Sequence, residues 1–146
     1  MKIEQKLQMD VIKGERIYYA EFGDLTFVAD GHVGAYLTAS ELKIDKTKMQ
    51  QMTGSNVETF SPESLQAAGV AGRELRTAYN LPVKGFAIKL KAIEGNAECF
   101  VQEKFLKMFY GYTGMIIRGK KEPVFILKYG KPYGIIMPIN IPTELE

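Results

Sequence analysis

Cysteine, histidine and tryptophan are almost missing from this chain: its 146 residues hold one cysteine, one histidine and no tryptophan. A lone cysteine, Cys99, forbids any intramolecular disulfide and points to a reducing compartment. One histidine and one cysteine cannot supply the three or four donors of a zinc site, and no run has the oxygen-ligand spacing of an EF-hand loop. Phosphate-cradling loops need glycines between a strand and a helix. Gly69 and Gly72 fall inside a helical pattern instead, and Gly111 to Gly114 leave a helix and enter a strand. The expectation is therefore a protein without metal or cofactor. Long apolar runs are missing too. The longest, 114–117 and 134–139, are strand-sized, far below the roughly 18 residues a membrane span needs. The first six residues, Met1 to Lys6, carry no apolar leader core, so the expected location is the cytoplasm, with no membrane partner.

What is present is ordinary for a folded domain. Hydrophobic residues make up 46% and charged residues 25%, which excludes a largely disordered chain. The length suits one domain over 1–146, with 38–60 as a polar, mobile loop and 142–146 as a tail. The net charge is only +2, but it is unevenly spread: residues 1–66 have an excess of acids and residues 67–146 an excess of bases. The densest part holds Lys104, Lys107, Arg118, Lys120, Lys121, Lys128 and Lys131, opposed only by Glu122. Such a stripe attracts a polyanion in a salt-dependent way, or simply keeps a sheet soluble. Tyr110, Tyr112, Tyr129 and Tyr133 interleave with it. That combination stacks nucleic-acid bases in some proteins and packs across strands in many more.

Periodicity gives an α+β reading: two helices packed on a mostly antiparallel sheet of about eight strands. Ile17–Ala20 and Leu25–Ala29 flank a Gly-Asp turn and read as a hairpin, and Val33–Leu37 as a further strand. Leu7, Met9 and Val11 alternate, so Glu4–Ile12 is read as a strand. Ser61-Pro62-Glu63 is a helix start, and Leu65, Ala68, Leu75 and Tyr79 continue at helical spacing to Asn80. Gly69 and Gly72 mark either a break in that helix or a close backbone approach. Val83–Ile93 and Ala97–Val101 are read as strands, Gln102–Tyr110 as an amphipathic helix, and 114–118, 124–129 and 133–139 as the closing strands. No internal repeat is evident.

Candidate chemistry is sparse. Asp30-Gly31-His32 is the one place where an acid meets the histidine, but Asp-Gly is also a turn signal and neighbouring strand residues point to opposite faces. The reading is a turn with a surface histidine, and no enzyme is expected. Cys99 sits beside Phe100 and Val101 and reads as a buried apolar residue.

Two segments carry a resemblance. Phe27-Val28-Ala29-Asp30-Gly31-His32-Val33 follows a hairpin. Glu98 to Ile141 runs strand, helix, strand, proline turn, strand, turn, and a final strand ending Met137-Pro138-Ile139-Asn140-Ile141. These resemble parts of the bacterial β-type DNA sliding clamp, a ring of repeated α+β units with basic helices toward DNA and sheets outside. The family's final Met-Pro strand helps form an apolar pocket for short peptides of polymerases and other partners. The resemblance implies DNA-backbone contacts from Lys104 and Lys107, with Arg118, Lys120 and Lys121 nearby. It implies a partner-peptide pocket at Tyr133, Met137, Pro138 and Ile141. The chain has room for one such unit where a clamp subunit has three, and a phage or mobile element is the expected source. Closing a ring would then require a homo-oligomer. The leading expectation is a non-enzymatic, DNA-metabolism-associated clamp-like binding protein acting on double-stranded DNA without base readout. The alternative is a protein–protein interaction module with no DNA role, using the 129–141 strand surface.

Overall fold

The computed structural model describes residues 1–81 and 85–141. Helix α1 (Ile3–Ile12) leads into an antiparallel meander, β1 (Tyr18–Phe22), β2 (Leu25–Ala29) and β3 (Val33–Leu37). A 3-10 turn (Lys46–Lys48), the two-residue strand β4 (Gln50–Gln51) and helices α2 (Ser55–Thr59) and α3 (Pro62–Ala68) follow. The long hairpin β5 (Val70–Leu81) and β6 (Gly85–Ala92), then β7 (Glu98–Gln102) and α4 (Glu103–Leu106), precede a second meander, β8 (Gly114–Ile117), β9 (Val124–Lys128) and β10 (Lys131–Ile136). The ten strands form one sheet in the order β4-β1-β2-β3-β10-β9-β8-β5-β6-β7, and β4 against β1 is the parallel pair.

The unit "helix, then three-stranded meander" thus occurs twice, as α1-β1-β2-β3 and α4-β8-β9-β10. The two meanders meet through their last strands, which pair antiparallel with Ile135 opposite Gly34. Antiparallel joining of like strands relates the two halves by an approximate two-fold axis. The expectation of no internal repeat holds for the residues and fails for the topology.

Strand alternation sorts the side chains onto two faces. Val28, Val33, Ala35, Leu37, Met115, Ile117, Val124, Ile126 and Ile136 point to one face and pack with Ile3 and Leu7 of α1 and Phe105 and Leu106 of α4. Phe27, Tyr36, Phe125 and Ile135 point to the other and pack under Leu65 of α3, with Met52 and Phe60 alongside. Two glycines let aromatic rings close over the central strands. A Cβ on Gly34 would lie 2.5 Å from the Phe27 ring, and one on Gly134 would lie 2.3 Å from both the Phe109 ring and the Gly34 carbonyl oxygen. Past β10 the chain crosses to the edge strand β7, where the Ile139 N–H donates to the Phe100 carbonyl (2.8 Å).

Several elements differ from the sequence reading. Glu4–Ile12 is helical, because Ile3 and Leu7 stack one turn apart into the core while Met9 faces solvent. Lys6 and Asp10 add an i,i+4 pair (2.5 Å), and the Gln5 side chain accepts from the Lys2 N–H (2.9 Å) at the helix start. The helix expected from Ser61 to Asn80 ends at Ala68. Its start is as read, with Ser61 Oγ accepting from the Ser64 N–H (3.2 Å). Gly69 is both the break and the close approach: a Cβ there would lie 2.7 Å from the Ile117 carbonyl oxygen. The chain then becomes β5, paired with β8 and β6. Among the described residues, four α-helices and ten strands replace the expected two and about eight. The polar 38–60 segment carries regular structure and buries Ile44 and Met49. The helix expected over Gln102–Tyr110 is one turn, Glu103–Leu106, and the strand expected from Val83 begins at Gly85. Val83 itself and the 142–146 tail lie outside the described residues. No helix among the described residues is long and apolar enough to cross a membrane.

Candidate functional site: an apolar groove beside the β10 terminus

At the end of the sheet where β2 stops and β3 starts, the face opposite α1 and α4 opens into a groove of about 440 Å³. Phe27 and Ile135 form its floor. Tyr18, Met52, Phe60 and Met137 stand around it, and Gln50, Gln51, Thr53 and Asn56 line one side. No aspartate, glutamate, lysine, arginine or histidine lines it, although a quarter of the chain is charged. Phe27 and Phe60 stack with centroids 5.2 Å apart, and the Tyr36 hydroxyl donates to the Phe60 carbonyl (2.6 Å), which ties the α2–α3 segment to the sheet. Burial raises the Tyr36 hydroxyl far above its ordinary pKa, with the Glu63 carboxylate adding to it, so Tyr36 acts as a donor at any working pH.

The wall at Met137 is fixed by the turn across the sheet. The Met137 N–H donates to the His32 carbonyl (2.8 Å). The Asp30 carboxylate in turn holds the His32 and Val33 N–H groups (2.8 and 3.0 Å) and pairs with Lys6 of α1. Burial alone would raise the Asp30 carboxyl, but the Lys6 ammonium and the two N–H bonds outweigh it and hold it below the ordinary range. Burial alone would likewise lower Lys6, and its bonds to Asp10 and Asp30 raise it instead. The Asp30–His32 pair is therefore a turn clasp. The imidazole is exposed and lies 6.0 Å from the Phe105 ring in a stacked arrangement, not against the carboxylate.

The sequence-derived residues are split by the fold. Met137 is in the groove wall and Pro138 follows it, half-buried. Tyr133 lies at the other end of β10, edge-on to Phe109 (5.1 Å), with its hydroxyl donating to the Tyr110 carbonyl (2.9 Å). Ile141 is buried with Phe100 and Ala87 on the β6–β7 part of the sheet. Of the four, only Met137 lines the groove. The basic stripe is split in the same way. Lys104 lies beside Phe105 at the His32 end, and Lys107 pairs with Glu103 (3.0 Å) while its side chain stays 72% exposed. Arg118, Lys120 and Lys121 occupy the loop between β8 and β9 at that same end, where Arg118 pairs with Glu122 (3.0 Å). Lys128 and Lys131 sit at the opposite end, flanking the β9–β10 turn. Cys99 is buried in β7, and burial together with Glu98 pushes its thiol up to about 12, as befits an apolar core residue.

Among the groove residues that sequence reasoning missed are Tyr18, Met52 and Phe60. Met52 and Phe60 are isolated apolar residues in a polar segment with no period, and Tyr18 lies in a strand whose pattern marks a hairpin and no site. No family model, no curated protein and no solved structure matches this chain.

Proposed function

We propose that this chain is a non-enzymatic, clamp-like binding protein of DNA metabolism, which meets double-stranded DNA with its α1/α4 face and holds a partner peptide in the groove on the other face. The observation that carries this reading is the near two-fold pair of helix–meander units, with both leading helices on one face of a continuous sheet and the Met137 groove on the reverse. That division of labour suits a protein that tethers another to DNA. The contacts to DNA would be lysine and arginine to phosphate, without base readout. An uncharged groove of this size suits an apolar peptide anchor. One unit cannot close a ring, so encirclement requires self-association.

A second reading, a protein-docking module with no DNA role, is favoured by one specific observation. The helix-face lysines Lys6 and Lys107 already have carboxylate partners. Two variants separate the readings. In the clamp-like reading, Lys104→Glu with Lys107→Glu abolishes duplex binding and leaves the groove intact, whereas Met137→Asp does the reverse. If the parent chain binds no duplex and the double charge reversal leaves its other interactions unchanged, the DNA role is refuted and the docking module stands.

A further inference from the structure

At the end of the sheet away from the groove, β9 and β10 are joined by the two-residue turn Tyr129-Gly130, with Lys128 paired to Lys131 across it. Both turn residues have positive φ, 52° for Tyr129 and 75° for Gly130. Such a turn matches the twist of a hairpin, and its first position favours asparagine or glycine. A tyrosine there is a steric outlier, and Tyr129 is the only described non-glycine residue with positive φ. Its side chain makes no core contact in return: Tyr129 is 79% exposed. The Thr113 hydroxyl accepts from the Tyr129 N–H (2.7 Å) and holds the turn in place. A strained, exposed aromatic held rigidly at a hairpin tip is a feature that folding does not explain.

Its surroundings say what it meets. A depression of about 490 Å³ beside the turn is lined by Lys2, Lys128, Lys131, Tyr110, Tyr129 and Tyr133. Tyr110 is 47% exposed. Tyr133 is the fixed floor, with the Lys128 ammonium 5.4 Å over its ring. Glu4 and Glu41 also border the depression, and Glu41 is engaged by the Thr38 N–H (2.9 Å). Exposed rings with a surplus of lysines present both a stacking surface and phosphate contacts.

We infer that this corner binds single-stranded nucleic acid, with Tyr129 as the platform on which an unpaired base stacks and Lys2, Lys128 and Lys131 as contacts to the backbone. A duplex hides its base faces, so the site selects unpaired strands. The inference does not rest on the clamp-like reading, because it uses neither the groove nor Lys104 and Lys107.

The test measures binding of the full chain to a fluorescent oligo-dT of about 12 nucleotides by anisotropy at low salt. Tyr129→Phe is expected to bind as the parent does. Tyr129→Gly relieves the backbone, so its Tm is expected to rise while its affinity falls by about fivefold or more. Lys128→Glu with Lys131→Glu is expected to flatten the salt dependence. Absence of oligo-dT binding by the parent overturns the inference. So does Tyr129→Gly binding with unchanged affinity, or, in a Lys104→Glu with Lys107→Glu background that removes the proposed duplex face, a duplex of the same length binding as tightly as the single strand. Met137→Asp is expected to leave oligo-dT binding unchanged, so failure of the groove reading and failure of this one are distinguishable.

Discussion

Removing the Asp30 carboxylate is expected to loosen the groove from behind, through a set of four contacts. Asp30 accepts from the His32 and Val33 N–H groups and pairs with Lys6, and the His32 carbonyl receives the Met137 N–H. The Asp30 and Lys6 side chains are 8% and 18% exposed, so solvent screens the pair only partly. In Asp30→Ala the buried Val33 N–H loses its acceptor, which costs about 1–3 kcal/mol. Lys6 keeps Asp10 at 2.5 Å and is not left as an isolated charge, which limits the remaining loss to about 1–2 kcal/mol. The expected total is about 3 kcal/mol. Asp30→Asn keeps an oxygen for the N–H groups and loses only the charge, for about 1–2 kcal/mol. Urea unfolding at neutral pH reads both values, with an unchanged denaturant slope. Amide hydrogen exchange at Met137 is expected to accelerate in Asp30→Ala, because the carbonyl it bonds is no longer held. If Asp30→Ala loses less than about 0.5 kcal/mol, or destabilises the fold while Met137 stays as protected as in the parent, the coupling of turn to groove is refuted.

Three further outcomes are expected. Gly134→Ala places a Cβ against a backbone oxygen and the Phe109 ring, neither of which can yield cheaply, and is expected to cost about 3 kcal/mol or more by urea unfolding. The Asp30 carboxyl is held below its ordinary 3.8, so its stabilisation is complete above that value and is lost as the pH falls through the depressed value; the acid-unfolding curve of Asp30→Asn is expected to be shallower there than the parent's. Cys99, buried with its thiol raised to about 12, is expected to resist a thiol reagent at pH 8 until the chain is unfolded, and rapid labelling of native protein would contradict its place in the core.

Much of the sheet was legible because strand alternation is a local signal. Phe27 against Val28, Tyr36 against Leu37, and Phe125 against Ile126 already sort to opposite faces in sequence. Failures came where tertiary contacts decide. Glu4–Ile12 has both a two-residue and a four-residue pattern, and only packing of Ile3 and Leu7 under the sheet selects the helix. Residues 70–81 have helical spacing, yet the pairing of β5 with β6 and β8 outweighs it. The two-fold topology left no trace in the residues, since two meanders need only alternation, not identical side chains. Of the residues that the resemblance named for a peptide pocket, Met137 lines the groove. Tyr133 and Ile141 do not, because a bulge between Pro132 and Gly134 and the crossing to β7 send them elsewhere. Tyr129 carried no sequence signal of strain, because a tyrosine before glycine is ordinary until the turn type is known.

The clamp-like reading is tested most directly by the solution mass of the chain, measured by light scattering at low salt with and without a duplex oligonucleotide. The account predicts a closed oligomer whose mass rises by that of the duplex and returns when salt is added. A monomer whose mass is indifferent to duplex DNA would contradict it and leave the apolar groove as the working surface of a protein-docking module.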